Sequence, residues 1–161
     1  MAATDDATDP AMRPLIEAVE REFGTMMLKA RDSLRERAAA IDTRLHPLGY
    51  KVVSVLANSG GQQQAAVAEA LQVDKAMMSR TVKQLEEYGL LVRTPDPADG
   101  RAMLMTLTDS AATRYRESVS AARALLYERL AGWGADDVAR FADLLARLNA
   151  SGPSSGASPG A

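Results

Sequence analysis

The stretch "GLLVRTPDPADGRAMLMTLT", Gly89 to Thr108, decides the fold. Two apolar, β-leaning runs, Leu90–Val92 and Ala102–Leu107, flank a loop with two prolines, two aspartates, a glycine and an arginine. Alternation on both sides of a Pro/Asp/Gly cluster marks a β-hairpin with a longer loop. The rest of the chain reads as helix, so the hairpin takes its meaning from the residues just before it.

Those residues read as two short helices around a tight turn. Gln64 to Leu71 ("QAAVAEAL") is one helix, "QVD" is the turn, and Asp74 caps a second helix that reaches Tyr88. Gly89 stands at its C′ stop. Along this second helix Met78, Val82 and Leu85 recur at i, i+4 and i+7, a stripe to be buried. The opposite side carries Lys75, Ala76, Ser79, Arg80 and Lys83. A short, hydroxylated, cationic face fits the major groove of B-DNA, which admits one α-helix, and Arg80 can pair with a guanine edge. Taken alone, such a helix is better read as an amphipathic segment with a solvated face. The turn, the glycine stop and the hairpin that follow favour a winged helix-turn-helix.

Working outward, Arg13 to about Leu45 reads as a long helix ended by His46-Pro47, since the residue before proline avoids the α region. Gly49 to Ala57 is a short helix closed by "NSGG". Beyond the hairpin, Thr108 caps a long helix to about Leu130 with Asp109 in its first turn. "GWGADD" interrupts it, and Asp136 to Leu148 forms the last helix. The fold class is therefore mainly α with a small β-hairpin wing. A single domain is expected over 11–150, with the winged core at about 48–108 and long helices at about 13–47 and 109–150. The acidic residues 1–10 and the Gly/Pro/Ser-rich 151–161 are expected to be disordered tails.

Composition narrows the function. The 161 residues contain no cysteine and one histidine. That removes thiolate metal sites, cysteine nucleophiles and thiol redox sensing, and it argues against a triad or multi-histidine zinc site. No glycine-rich phosphate loop or nucleophile–base set appears, so neither an enzyme nor a cofactor is expected. No secretory signal and no long apolar run is present, and the expected compartment is the cytoplasm, away from the membrane. The formal net charge of −2 speaks mildly against a nucleic-acid partner. Without Asp5, Asp6 and Asp9, however, 19 basic groups face 18 acidic ones, a balance of +1.

From about Leu48 through Arg116 the chain resembles the MarR-type winged helix-turn-helix transcriptional regulators, most specifically in "VDKAMMSRTVKQLEEYGLLVRTPDPADGRA" and the closing "LT". The resemblance implies a homodimer whose terminal helices interlock and whose recognition helices sit about 34 Å apart, on a pseudo-palindromic operator in double-stranded DNA. It assigns DNA contact to Lys75, Ala76, Met77, Ser79, Arg80 and Lys83. At the wing tip it assigns Asp99 and Arg101, the arginine for the minor groove and the aspartate to orient the wing. A surface pair that binds only itself is the plain alternative for those two. The resemblance also implies repression relieved by a small aromatic or phenolic ligand in a cleft beside the dimer helices. Met26, Met27, His46 and Tyr50 are the candidates to line it, although each taken alone is better read as core or helix cap.

The chain departs from the family pattern at four places. Ala76 and Met77 stand where small hydroxyl residues are common, Gln84 where a basic residue is common, and Gly100 replaces a basic residue between Asp99 and Arg101. Met77 is suited to a thymine methyl. These changes, with the net acidity, motivate an alternative: a winged-helix protein-interaction module without DNA binding.

Overall fold

The turn that joins the two short helices shows how local chemistry positions the molecule. In the computed structural model, which describes residues 10–97 and 102–150, the element order is α1 Arg13–Ile41, α2 Pro47–Ser59, β1 Gln62–Gln63, α3 Gln64–Ala70, α4 Lys75–Glu87, β2 Leu91–Pro95, β3 Met103–Leu107, α5 Asp109–Leu130 and α6 Ala135–Ala150. Helix α3 ends with Gln72 in the left-handed region, φ 53°. The Gln72 N–H then donates to Glu69 O and the Val73 N–H to Ala68 O. Helix α4 ends in the same way: Gly89 has φ 68°, its N–H donates to Glu86 O, and the Leu90 N–H donates to Leu85 O. Both are Schellman closures, and at the second Leu85 and Leu90 are both buried, the apolar contact this motif favours.

Asp74 opens α4 as expected, its Oδ1 accepting from the Met77 N–H at 2.8 Å. Replacing Asp74 by alanine is expected to lower stability by about 1 kcal/mol, the usual value of such a cap. Urea unfolding followed by circular dichroism checks this, and an unchanged midpoint would refute the cap's contribution.

The hairpin forms with β2 and β3 paired from Leu91↔Leu107 to Pro95↔Met103. A third strand had no sequence signal: β1 pairs antiparallel to β3 at Gln62↔Met105 and Gln63↔Leu104, so the order is β1-β3-β2. Two glutamines are too short and too polar to show alternation. Thr108 joins sheet and helix, its Oγ1 donating to Gly89 O at 2.9 Å and accepting from the Ala111 N–H at 3.3 Å.

The reading of the first long helix is corrected at its end. It stops at Ile41, not near Leu45, because Asp42 is extended (φ −157°, ψ 131°) and its carboxylate binds the Arg44 N–H and guanidinium. Pro47 is not the terminator of α1. It starts α2, where its missing N–H costs nothing. Gly24 lies within α1 without interrupting it. The expected tails at 1–10 and 151–161 lie, apart from Pro10, outside the described residues.

Two compact units divide at Val119/Ser120. In the first, the core comprises Ala38, Ile41, Leu45, Tyr50, Val52, Val53, Leu56, Val67, Met78, Val82, Leu85, Leu90, Leu91, Met105, Ala111 and Tyr115. Helix α1 contributes to it only through its last turns, while Leu15, Ile16, Val19, Met26, Met27 and Leu28 remain exposed. In the second unit no residue of α6 is buried, and Trp133 packs edge-on against Phe141 at 5.6 Å between ring centroids. No helix among the described residues is long and apolar enough to cross a membrane.

Candidate nucleic-acid interface

Helix α4 separates its two faces cleanly. Met78, Thr81, Val82 and Leu85 are buried. Lys75, Ala76, Met77, Ser79, Arg80, Lys83 and Gln84 are all exposed. Burying the Met78–Val82–Leu85 stripe against the core therefore presents the whole expected reading face to solvent at once. Neither Lys75 nor Arg80 forms an ion pair among the described residues; Lys83 lies 3.9 Å from Glu87, a loose pair between exposed groups. Unpaired cations on one helical face are available to phosphates without first breaking a bond to protein.

The wing is fastened along the length of β2. Arg93 on β2 donates through Nε to Glu86 Oε1 of α4 at 2.9 Å and through Nη2 to Gln64 Oε1 of α3 at 3.3 Å. Gln63 Nε2 donates to Asp96 Oδ2 at 3.1 Å, and the Asp96 N–H donates to Ala102 O. Arg93 and Gln63 thus hold β2 and its continuation against the two short helices. Asp99 and Arg101, the expected wing-tip contacts, lie outside the described residues.

The four residues expected in a ligand cleft are not brought together. Met26 and Met27 are exposed on α1, about 15 Å along the helix axis from Arg37. His46 is exposed at the start of α2 and borders a cleft of only about 30 Å³, which does not include the other three. Tyr50 is buried, with the Arg37 guanidinium 5.4 Å from its ring centroid and the Tyr115 ring at 5.8 Å. The Tyr115 hydroxyl shares a 2.9 Å hydrogen bond with Ser54 Oγ and accepts from Asn58 Nδ2 at 3.4 Å. Arg37 Nε is buried without a hydrogen-bond partner among the described residues, an arrangement that ordinarily calls for an explanation. Sequence reasoning passed over Arg37 because nothing local distinguishes it from the other charges of α1.

A second polar cluster joins three helix ends. Arg44 donates to both oxygens of Asp42, Nε to Oδ1 at 2.9 Å and Nη2 to Oδ2 at 2.7 Å, and its guanidinium lies 4.2 Å above the Tyr88 ring. Arg114 Nη1 donates to Ile41 O at 2.7 Å. Hydrogen bonds from Arg44 outweigh the opposing effect of burial and lower the Asp42 pKa to about 2. A lowered folded-state value means the stabilisation is complete above about pH 4 and is lost as pH falls through about 2. Asp42→Asn is therefore expected to destabilise by about 1 kcal/mol at neutral pH, the effect being screened at the half-exposed Arg44. In thermal melts the gap to the unsubstituted protein should narrow from pH 4 towards pH 2. A gap independent of pH would exclude this pair as its source.

Two short helices joined by a tight turn, the second with its polar face open, followed by a hairpin in a three-stranded sheet, define a winged helix-turn-helix protein. Residues 45–103 match the model of the MarR family. A 59-residue stretch is 41% identical to a putative transcriptional regulatory protein for the hcr operon of Thauera aromatica, covering 37% of this chain and 36% of that protein. Over 99 residues the chain is 32% identical to an HTH-type transcriptional regulator, ML2140, of Mycobacterium leprae, covering 60% of this chain and 69% of its relative. The YusO protein of Bacillus subtilis shares the fold, with a TM-score of 0.72 at 19% identity over 86% of this chain and 97% of its own. The chain belongs to the MarR family of transcriptional regulators.

Proposed function

We propose that this protein binds double-stranded DNA as a homodimer and represses transcription from a pseudo-palindromic operator. The observation that carries the reading is the open cationic face of α4, with Lys75 and Arg80 unpaired among the described residues and Met77 and Ser79 beside them. Lys75, Arg80 and Lys83 would neutralise phosphates or read base edges. Ala76 and Met77 would offer apolar contact to thymine methyls. Asp99 and Arg101 keep the wing-tip role that the family resemblance implies. Repression is the simplest consequence of occupancy, because a protein covering a promoter excludes polymerase.

Dimer formation is supported separately in each unit. The row from Leu15 to Leu28 on α1, and Phe141, Leu144 and Leu148 on α6, are exposed apolar surfaces of the kind that a second copy covers. Two-fold symmetry would place the α4 helices one DNA turn apart. An aromatic anion is the effector we favour. The buried, unbonded Arg37 Nε offers a donor to a carboxylate, and Tyr50 and the Tyr115 hydroxyl stand beside it. Such a ligand shifts DNA affinity only by its preference for one state, typically about 1–3 kcal/mol.

Titrating duplexes from the protein's own upstream region, at several salt concentrations, tests the reading. Tight binding that weakens steeply with salt is expected. Absence of salt-dependent binding to any duplex would favour the protein-interaction module that the exposed Ala76 and Met77 also suit.

A further inference from the structure

The cluster at residues 41–44 joins elements that the DNA-binding reading treats separately. Helix α1 ends at Ile41, whose carbonyl oxygen receives Arg114 from α5. The next residue, Asp42, grips Arg44 through both carboxylate oxygens and also accepts the Arg44 N–H at 2.9 Å. The Asp42 side chain is only 11% exposed, so the anion that holds the guanidinium is itself held. Arg44 then covers the ring of Tyr88, the C-cap residue of α4. The stack fixes an arginine plane on an aromatic face, a geometry that lysine cannot reproduce. Beneath it the shallow cleft formed by Leu45, Gly49, Thr81 and Leu85 is too small for an organic ligand. It leaves room for little more than a water between α2 and α4.

We propose that Arg44, held by Asp42 and stacked on Tyr88, is a positioning residue that fixes the C-terminal end of α4 against the end of α1. Helix α4 has its N-terminus set by Asp74 and its underside by Met78, Val82 and Leu85. Rotation about its axis at the far end is resisted by Arg93–Glu86 on the wing side and by the Arg44–Tyr88 stack on the opposite side. Because Asp42 directly follows the last turn of α1, a tilt of α1 is passed through two residues to the ring that ends α4. This role presupposes that α4 is the DNA-contacting helix. Asp42 takes the Nε–Nη2 edge of Arg44, so the salt dependence of binding separates positioning from a phosphate contact through Nη1.

Fluorescence anisotropy of a labelled upstream duplex, measured across a series of salt concentrations, separates positioning from direct contact. Arg44→Ala and Asp42→Asn are each expected to weaken binding about tenfold with the salt slope unchanged. Tyr88→Phe, which keeps the ring face, should bind as the unsubstituted protein does, whereas Tyr88→Leu should weaken it. Two results would overturn the proposal. One is a salt slope for Arg44→Ala lower by about one, the mark of a lost phosphate contact. The other is Asp42→Asn binding undiminished, because releasing a contact arginine from its carboxylate does not harm it. Hydrogen exchange of the Tyr88, Gly89 and Leu90 amides without DNA gives an independent reading. Faster exchange in Asp42→Asn and Arg44→Ala is expected, and unchanged exchange sinks the proposal. A protein that binds no duplex, yet shows the faster exchange, defeats the DNA-binding reading and leaves the tether between α1 and α4 standing.

Discussion

Replacing Arg80 by alanine is expected to weaken binding to a cognate duplex roughly 10- to 100-fold, the range for losing one bidentate base contact. Arg80 sits two residues past Met78, so burial of the apolar stripe turns it outward. It has no ion-pair partner among the described residues, and its full donor set is available to a base edge. Lys83 provides the contrast. It is shared with Glu87 at 3.9 Å and lies a turn further from the helix start, where phosphate contact is the simpler role. Lys83→Ala should therefore weaken all sequences alike and lower the salt slope by about one, whereas Arg80→Ala should also relax preference at one base pair. Competition titrations with base-substituted duplexes distinguish the two, and an Arg80→Ala protein with undiminished affinity and sequence preference would rule out this face of α4.

The largest expected effect on stability is at Leu85. Its side chain is 1% exposed, and it lies where the underside of α4, the Schellman contact with Leu90 and the close approach of α2 meet. A Cβ placed on Gly49 would come within 3.5 Å of Leu85 Cδ2, so α2 passes with no side chain between. Leu85→Ala leaves a cavity that this glycine cannot fill. A loss of about 2–5 kcal/mol is expected, a fall in Tm of roughly 5–15 °C for a domain of this size. Leu85→Met, which conserves volume, should cost less than about 1.5 kcal/mol. Calorimetry of both variants checks the assignment; equal losses would mean that the lost volume is not what sets the cost at this site.

What could be read in the residues depended on the range of the interactions. Asp74 as a cap, Gly89 as a stop and the Met78–Val82–Leu85 stripe are settled within a turn or two of helix, and each appears in the structure as expected. The hairpin forms where expected, with β2 and β3 paired from Leu91↔Leu107 to Pro95↔Met103, but β2 buries only Leu91 and so shows no inside–outside alternation. The end of α1 was misplaced because His46-Pro47 is the louder breaker. Asp42 stops the helix earlier by offering Arg44 a better partner than another turn would. Strand β1 exists only because β3 supplies its hydrogen bonds, so no property of Gln62 and Gln63 announces it. The polar contacts that sequence reasoning missed connect distant residues: Arg114 with Ile41, Arg44 with Tyr88, and Tyr115 with Ser54. Of the ligand candidates, only Tyr50 stands among groups that could receive an anion, and the group that draws attention to it is Arg37.

The strand order β1-β3-β2 leaves β2 as an outer margin, and a bare margin of this kind can template a foreign strand. Here it is guarded by residues already named for other work: the Arg93 side chain at its middle is tied to Glu86 and Gln64 of the neighbouring helices, and Pro95 withdraws a donor at its far end. In a crowded solution such a border discourages ribbon-like stacking of one copy on the next. The dimer proposed above would then meet through its helices, where association closes on itself and stops.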